Sequence, residues 1–146
     1  MITYIPQEEV LMNWPVLSSA IGKFWDTTLN FETLPNLKRK LLADENQLWM
    51  WTHGDYGRFL FITETQYTSK VKILTVTHTA GVKSGDKKFS KKELREAITL
   101  IFEEIEELAL QLDYDAVKIN ARPAHVALAK GYKRMATPII KLIKEE

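Results

Sequence analysis

The chain has 146 residues, 45% of them hydrophobic and 27% charged, with a formal net charge of +1 and no cysteine. That length suits a single domain over residues 1–146 with a core of its own. The charge balance does not indicate a nucleic-acid binder, and the lack of cysteine excludes disulfides, thiolate metal sites and cysteine nucleophiles.

Thr3 to Ile5 reads as a short strand closed by Pro6. Glu8 to Trp14 and Pro15 to Trp25 read as two helical pieces, with Pro15 placed in a first turn, where its missing N–H costs nothing. Asp26, Thr27 and Thr28 break the pattern, and Leu34 to Asp44 is helical again, with Leu37, Leu41 and Leu42 inward and Lys38, Arg39 and Lys40 outward. The period then changes to two. Leu48 to His53, Arg58 to Tyr67 and Lys70 to Thr79 alternate and are rich in aromatic and β-branched residues, which marks three strands. Their short connectors, Gly54 to Gly57 and Thr68-Ser69, predict an antiparallel meander. On the first of these strands Trp49, Trp51 and His53 share one face, while Leu48 and Met50 make the other face apolar too, as in a strand covered on both sides.

The longest element follows, from Ser90 to Asp113. Ser90 and Glu93 have the spacing of a capping box. Leu94, Ala97, Ile98, Ile101, Phe102, Ile105, Leu108, Ala109 and Leu112 form one apolar stripe at helical spacing. The charges run against the helix dipole: Lys83, Lys87, Lys88, Lys91 and Lys92 precede or open the helix, whereas Glu103, Glu104, Glu106 and Glu107 fill its second half. A helix start ringed by lysine suits an external anion, phosphate above all. A solvated lysine loop is the plainer reading of the same residues. Beyond the helix, Ala116 to Asn120 is a brief strand, Pro123 to Lys130 a short helix closed by Gly131, and Met135 to Ile143 a last strand interrupted by Pro138. A helix joining two strands of one sheet makes a right-handed parallel crossover, so the strands on either side of the long helix are expected to be parallel neighbours. The fold class is therefore α/β (α+β), a mixed, mostly antiparallel sheet of about six strands with helices on both faces.

This order of elements, with the segment YDAVKINARPAHVALAKGYKR at Tyr114 to Arg134, resembles the GCN5-related N-acetyltransferase (GNAT) superfamily, and short GNAT-like proteins of tailed phages in particular. Asn120 at a strand end, Ala124 and Leu128 in a short helix, and Gly131-Tyr132 closing it stand where that family has an asparagine, a helix and a Gly-Phe or Gly-Tyr pair. The resemblance spans residues 47–143. It implies binding of acetyl-CoA or a related acyl-CoA and transfer of the acyl group to an amine, free or on a protein. The pantetheine would lie beside Val76, Thr77 and His78, with Asn120 near it, and the phosphates would meet Lys83, Ser84, Gly85, Lys87 and Lys88. His78 is the candidate base, Glu64 an alternative base facing an acceptor cleft, and Tyr132 the candidate proton donor to the thiolate.

Two departures from the family pattern stand out. Its pyrophosphate loop reads Gln/Arg-x-x-Gly-x-Gly/Ala, whereas aligning Gly85 with the central glycine leaves Val82 and Lys87 at the flanking positions. The tyrosine that many members place four residues before the Gly of the Gly-Phe pair is Ala127 here. A second expectation follows, of a catalytically silent phage protein that keeps the fold as a binding, virion-structural or host-interaction component. His53, His78 and His125 lack any metal-ligand spacing, so no metal is expected. No apolar run approaches the ~20 residues of a membrane span, and the start MITYIPQEEV lacks signal-peptide order. The expected location is cytoplasmic, or the host cytoplasm or virion if the gene is a phage's.

Overall fold

A computed structural model describes residues 1–25, 34–82, 90–119, 133–134 and 139–143, with side chains at 1–19, 34–77, 90, 92–93, 95–119 and 143. The strands run β1 (Ile2–Ile5), β2 (Gln47–His53), β3 (Gly57–Tyr67), β4 (Lys72–Val82), β5 (Ala116–Ile119), β6 (Lys133–Arg134) and β7 (Ile139–Leu142). The helices are α1 (Gln7–Met12), α2 (Trp14–Trp25), α3 (Leu34–Leu42) and α4 (Lys91–Gln111). Strand neighbours follow the order β1-β2-β3-β4-β5-β7-β6 in one mixed sheet. The chain groups into two compact units, the first made of Met1–Glu64 with His78–Asp86, the second of Thr65–Thr77 with Lys87–Glu146.

In the first unit β1, β2 and β3 form an antiparallel ladder in which Tyr4 faces Trp49 and Trp49 faces Phe61. Alternation along β2 sends Leu48 and Trp51 to opposite faces, and both are buried, at 1% and 0% exposure. Leu48, Leu60 and Ile62 pack with Ile5, with Val10 of α1, and with Leu37 and Leu41 of α3. Each such side chain contributes about 1.5–3 kcal/mol when fully buried. Asn13 separates α1 from α2: its backbone N–H and its Nδ2 both donate to Glu9 O, at 2.9 and 3.1 Å, while its own carbonyl accepts from Val16 and Leu17. The β2–β3 turn is tight because Gly57, opposite His53, takes φ 86°, a conformation that suits glycine.

In the second unit β4 and β5 are parallel, with Ile73 opposite Ala116 and Val76 opposite Ile119, and α4 makes the connection between them. The crossover predicted from the order of elements is therefore present. Asp115 ties the strand starts together: its Oδ2 accepts from Lys72 N at 2.9 Å, its N–H donates to Lys72 O at 2.8 Å, and its carbonyl accepts from Ile143 N at 3.0 Å. The capping box of α4 is formed in full, with Glu93 N donating to Ser90 Oγ at 3.1 Å and Ser90 N to Glu93 Oε1 at 3.2 Å. Replacing Ser90 by Ala should cost about 1 kcal/mol, as a lost N-cap does; urea unfolding checks it, and an unchanged midpoint would mean that the box is not formed in solution.

Several expectations shift in detail. Of the last strand, expected over Met135 to Ile143, Ile139–Leu142 is present as β7, paired antiparallel with β6, and residues 135–138 lie outside the described residues. Among the described residues the sheet has seven strands, close to the count of about six expected. β4 starts at Lys72 instead of Lys70, because Ser69 and Lys70 are used by a turn in which Thr68 N donates to Val71 O and Thr68 Oγ1 accepts from Val71 N. Leu112, placed in the apolar stripe, is 43% exposed: α4 ends at Gln111 and Leu112 is its C-cap, so it no longer follows the helical stripe. Ala97, Ile98, Ile101, Phe102, Ile105 and Ala109 of that stripe are buried as expected. The short helix expected over Pro123 to Lys130 lies outside the described residues. Among the described residues no helix is long and apolar enough to cross a membrane.

Candidate functional site

Of the residues expected to hold a cofactor, Val76 and Thr77 are described on β4. Val76 is fully buried and lies opposite Ile119, and Thr77 is half-buried. His78 continues the same strand in its backbone, its side chain being outside the described set. Lys83, Ser84, Gly85, Lys87, Lys88, Asn120 and Tyr132 lie outside the described residues. In the chain, the segment 83–89 that carries the five phosphate-site candidates follows β4 and precedes the capped start of α4. The C-terminal ends of parallel strands are where open α/β sheets bind ligands.

Glu64 is half-buried on β3, on the face that carries Leu60 and Ile62. That face packs against α1 and α3 in the first unit. The opposite face is aromatic. Trp51 stacks on His53 with centroids 5.5 Å apart, Trp49 on Phe61 at 6.3 Å, and Tyr4 tilts against Trp49 at 5.2 Å. Trp49 is anchored by donating Nε1–H to Thr63 Oγ1 at 2.9 Å. The tryptophan pair is thus largely core, with Trp51 fully enclosed. His53 accepts the Asp55 N–H at Nδ1, 3.1 Å away, which leaves the proton of the neutral ring on Nε2.

Three polar residues that the sequence reading passed over meet in the second unit. Lys118 is half-buried on β5 and donates to Gln66 Oε1 at 3.4 Å, and Thr75, opposite Lys118, is buried at 1% exposure with its Oγ1 unpartnered among the described residues. The signal was present in AVKI, where one lysine interrupts an otherwise apolar strand. Among the described residues no three metal-capable side chains gather.

No family model and no curated protein matches the chain in sequence. Solved structures match it in shape. An N-acyl amino acid synthase, FeeM, from uncultured soil microbes superposes with a TM-score of 0.59 at 11% identity, over 98% of this chain and 95% of that one. An aminoglycoside 6'-acetyltransferase of type Ii does so with a TM-score of 0.55 at 13% identity, over 100% and 99%. The fold is GNAT-like. A chain of the DNA-bound AtaT–AtaR complex shares it, with a TM-score of 0.53 at 9% identity over 98% and 94%. At such identities the GNAT-like likeness concerns the fold alone, and its substrate is a matter for this chain's own residues.

Proposed function

We propose that this chain is a GNAT-type N-acyltransferase that binds acetyl-CoA or a related acyl-CoA and passes the acyl group to an amine. The observation that carries the reading is the parallel β4–β5 pair with α4 as its crossover, in a chain whose 83–92 segment holds five lysines and leads into a capped helix start. Its likeness in fold to a 6'-acetyltransferase and an N-acyl amino acid synthase supports it.

In this reading the pantetheine lies along Val76, Thr77 and His78, with Asn120 beside it. The phosphates meet Lys83, Ser84, Gly85, Lys87 and Lys88. The capping box already occupies the N–H groups of Ser90 and Glu93, so a phosphate at the helix start draws on those of Lys91 and Lys92. The neutral amine attacks the thioester carbonyl, a C–N bond forms as the C–S bond breaks, and the thiolate takes up a proton. His78 or Glu64 removes the amine proton, directly or through water, and Tyr132 supplies the thiolate's, Ala127 having no proton to give.

The test is release of CoA thiol from acetyl-CoA over a panel of amino acids, polyamines, aminoglycosides and lysine peptides. Amine-dependent release with one class is expected. Release no faster than hydrolysis across the panel would leave the fold as a binding, virion or host-interaction component. Because the same fold occurs in a DNA-bound complex, duplex DNA belongs in the panel of binding partners. A net charge of +1 predicts no steeply salt-dependent DNA affinity.

A further inference from the structure

Lys118 stands in the middle of β5 between Val117 and Ile119, which are 0% and 1% exposed, and is itself half-buried. An ammonium at such a place is normally matched by a carboxylate. Here its Nζ donates to the neutral Gln66 Oε1 at 3.4 Å, and no carboxylate pairs with it among the described residues. The parallel register sets Thr75 opposite Lys118, so the two side chains share one face of the sheet. Thr75 is 1% exposed, yet its hydroxyl has no hydrogen-bond partner among the described residues. Native structures rarely leave a buried hydroxyl so, and an exception asks for a missing ligand or water. Two independent observations, a half-buried cation with no carboxylate partner and a buried hydroxyl with no hydrogen bond among the described residues, therefore fall side by side within one unit.

We propose that Lys118, Thr75 and Gln66 form a subsite for a single carboxylate of a small ligand. Lys118 and Thr75 both offer protons, and an ionised carboxylate is an acceptor only, so it answers both at once. One fixed positive charge neutralises one negative charge. A phosphate dianion would leave excess charge in a half-buried place, and a neutral amide would leave the ammonium unmatched. Gln66, by accepting from Nζ, holds the lysine head on the β3 side of the sheet face. Taken with the acyltransferase reading, on which this last step alone rests, the carboxylate belongs to the acceptor: the substrate class is an amine that carries a carboxylate, such as an amino acid.

The test is a titration of the full ¹⁵N-labelled chain with propionate, followed by amide shifts, with propionamide and inorganic phosphate as comparison probes. Saturable shifts at Gln66, Thr75 and Lys118 with propionate in the millimolar range, and none with propionamide, are the expected result. Lys118→Met, which keeps the stem and removes the charge, should weaken propionate binding at least about tenfold. Thr75→Val, close in shape, should weaken it less and serves alone if Lys118→Met gives a poorly dispersed spectrum. No saturable shift, an equal response to propionamide, a preference for phosphate, or undiminished binding in both variants would overturn the subsite. A chain that binds propionate but not acetyl-CoA keeps the subsite and loses the acyltransferase reading. The reverse result removes the subsite alone.

Discussion

Replacing Ile105 by Asp should abolish the cooperative unfolding transition of the chain. Ile105 is fully buried on α4, in the stripe formed by Ala97, Ile98, Ile101, Phe102 and Ala109. The substitution removes an apolar side chain that contributes about 1.5–3 kcal/mol. It also puts a carboxylate where water does not reach, at a further cost of several kcal/mol or a forced protonation. Set against a net stability of about 5–15 kcal/mol for a domain, that leaves little or nothing. Circular dichroism during heating reads the outcome directly. The control lies one turn beyond the buried stripe: Leu112→Asp, at a cap position that is 43% exposed, should stay within about 0.5 kcal/mol of the parent. A native-like melt for the Ile105 variant would mean that a different face of α4 is inward.

The second large effect is on ligand binding and not on stability. Changing Lys83, Lys87 and Lys88 together to Glu should abolish acyl-CoA binding while the melting temperature hardly moves, because charges in such a run contribute little to folding. Each reversed contact to a phosphate forfeits about 1.5–3 kcal/mol, and since about 1.4 kcal/mol is tenfold in affinity, three together amount to a thousandfold or more. Binding that survives the triple change would put the anion site elsewhere.

The parts of the fold legible in the sequence are those with a strong period or a mechanism. The α4 stripe and its capping box are both local devices, visible in any window of the right length, and both are present. The β2–β3 hairpin was equally plain, because Gly57 marks the turn and alternation marks the strands. The parallel β4–β5 pair followed from the handedness of crossovers and not from any residue. What was lost depended on where an element stops. Leu112 fits the helical period, but periodicity cannot say that α4 ends one residue earlier, and the connector expected at Thr68-Ser69 gave no sign that the Thr68 hydroxyl would extend it past Lys70. The candidate site divides in the same way. Val76 and Thr77 enter only as what the resemblance implies, as positions along a strand. Thr75 and Lys118 are joined only by register between strands 43 residues apart in sequence, and no motif records that pairing.

The measurement that bears most directly on the central claim is a calorimetric titration of the purified chain with acetyl-CoA, with CoA and ATP as comparison ligands. On the acyltransferase reading, saturable, micromolar binding of the CoA species that ATP does not match is expected, with pantetheine contacts along β4 added to those of the phosphates. No heat of binding with acetyl-CoA at millimolar concentration, or equal binding of ATP, would contradict it.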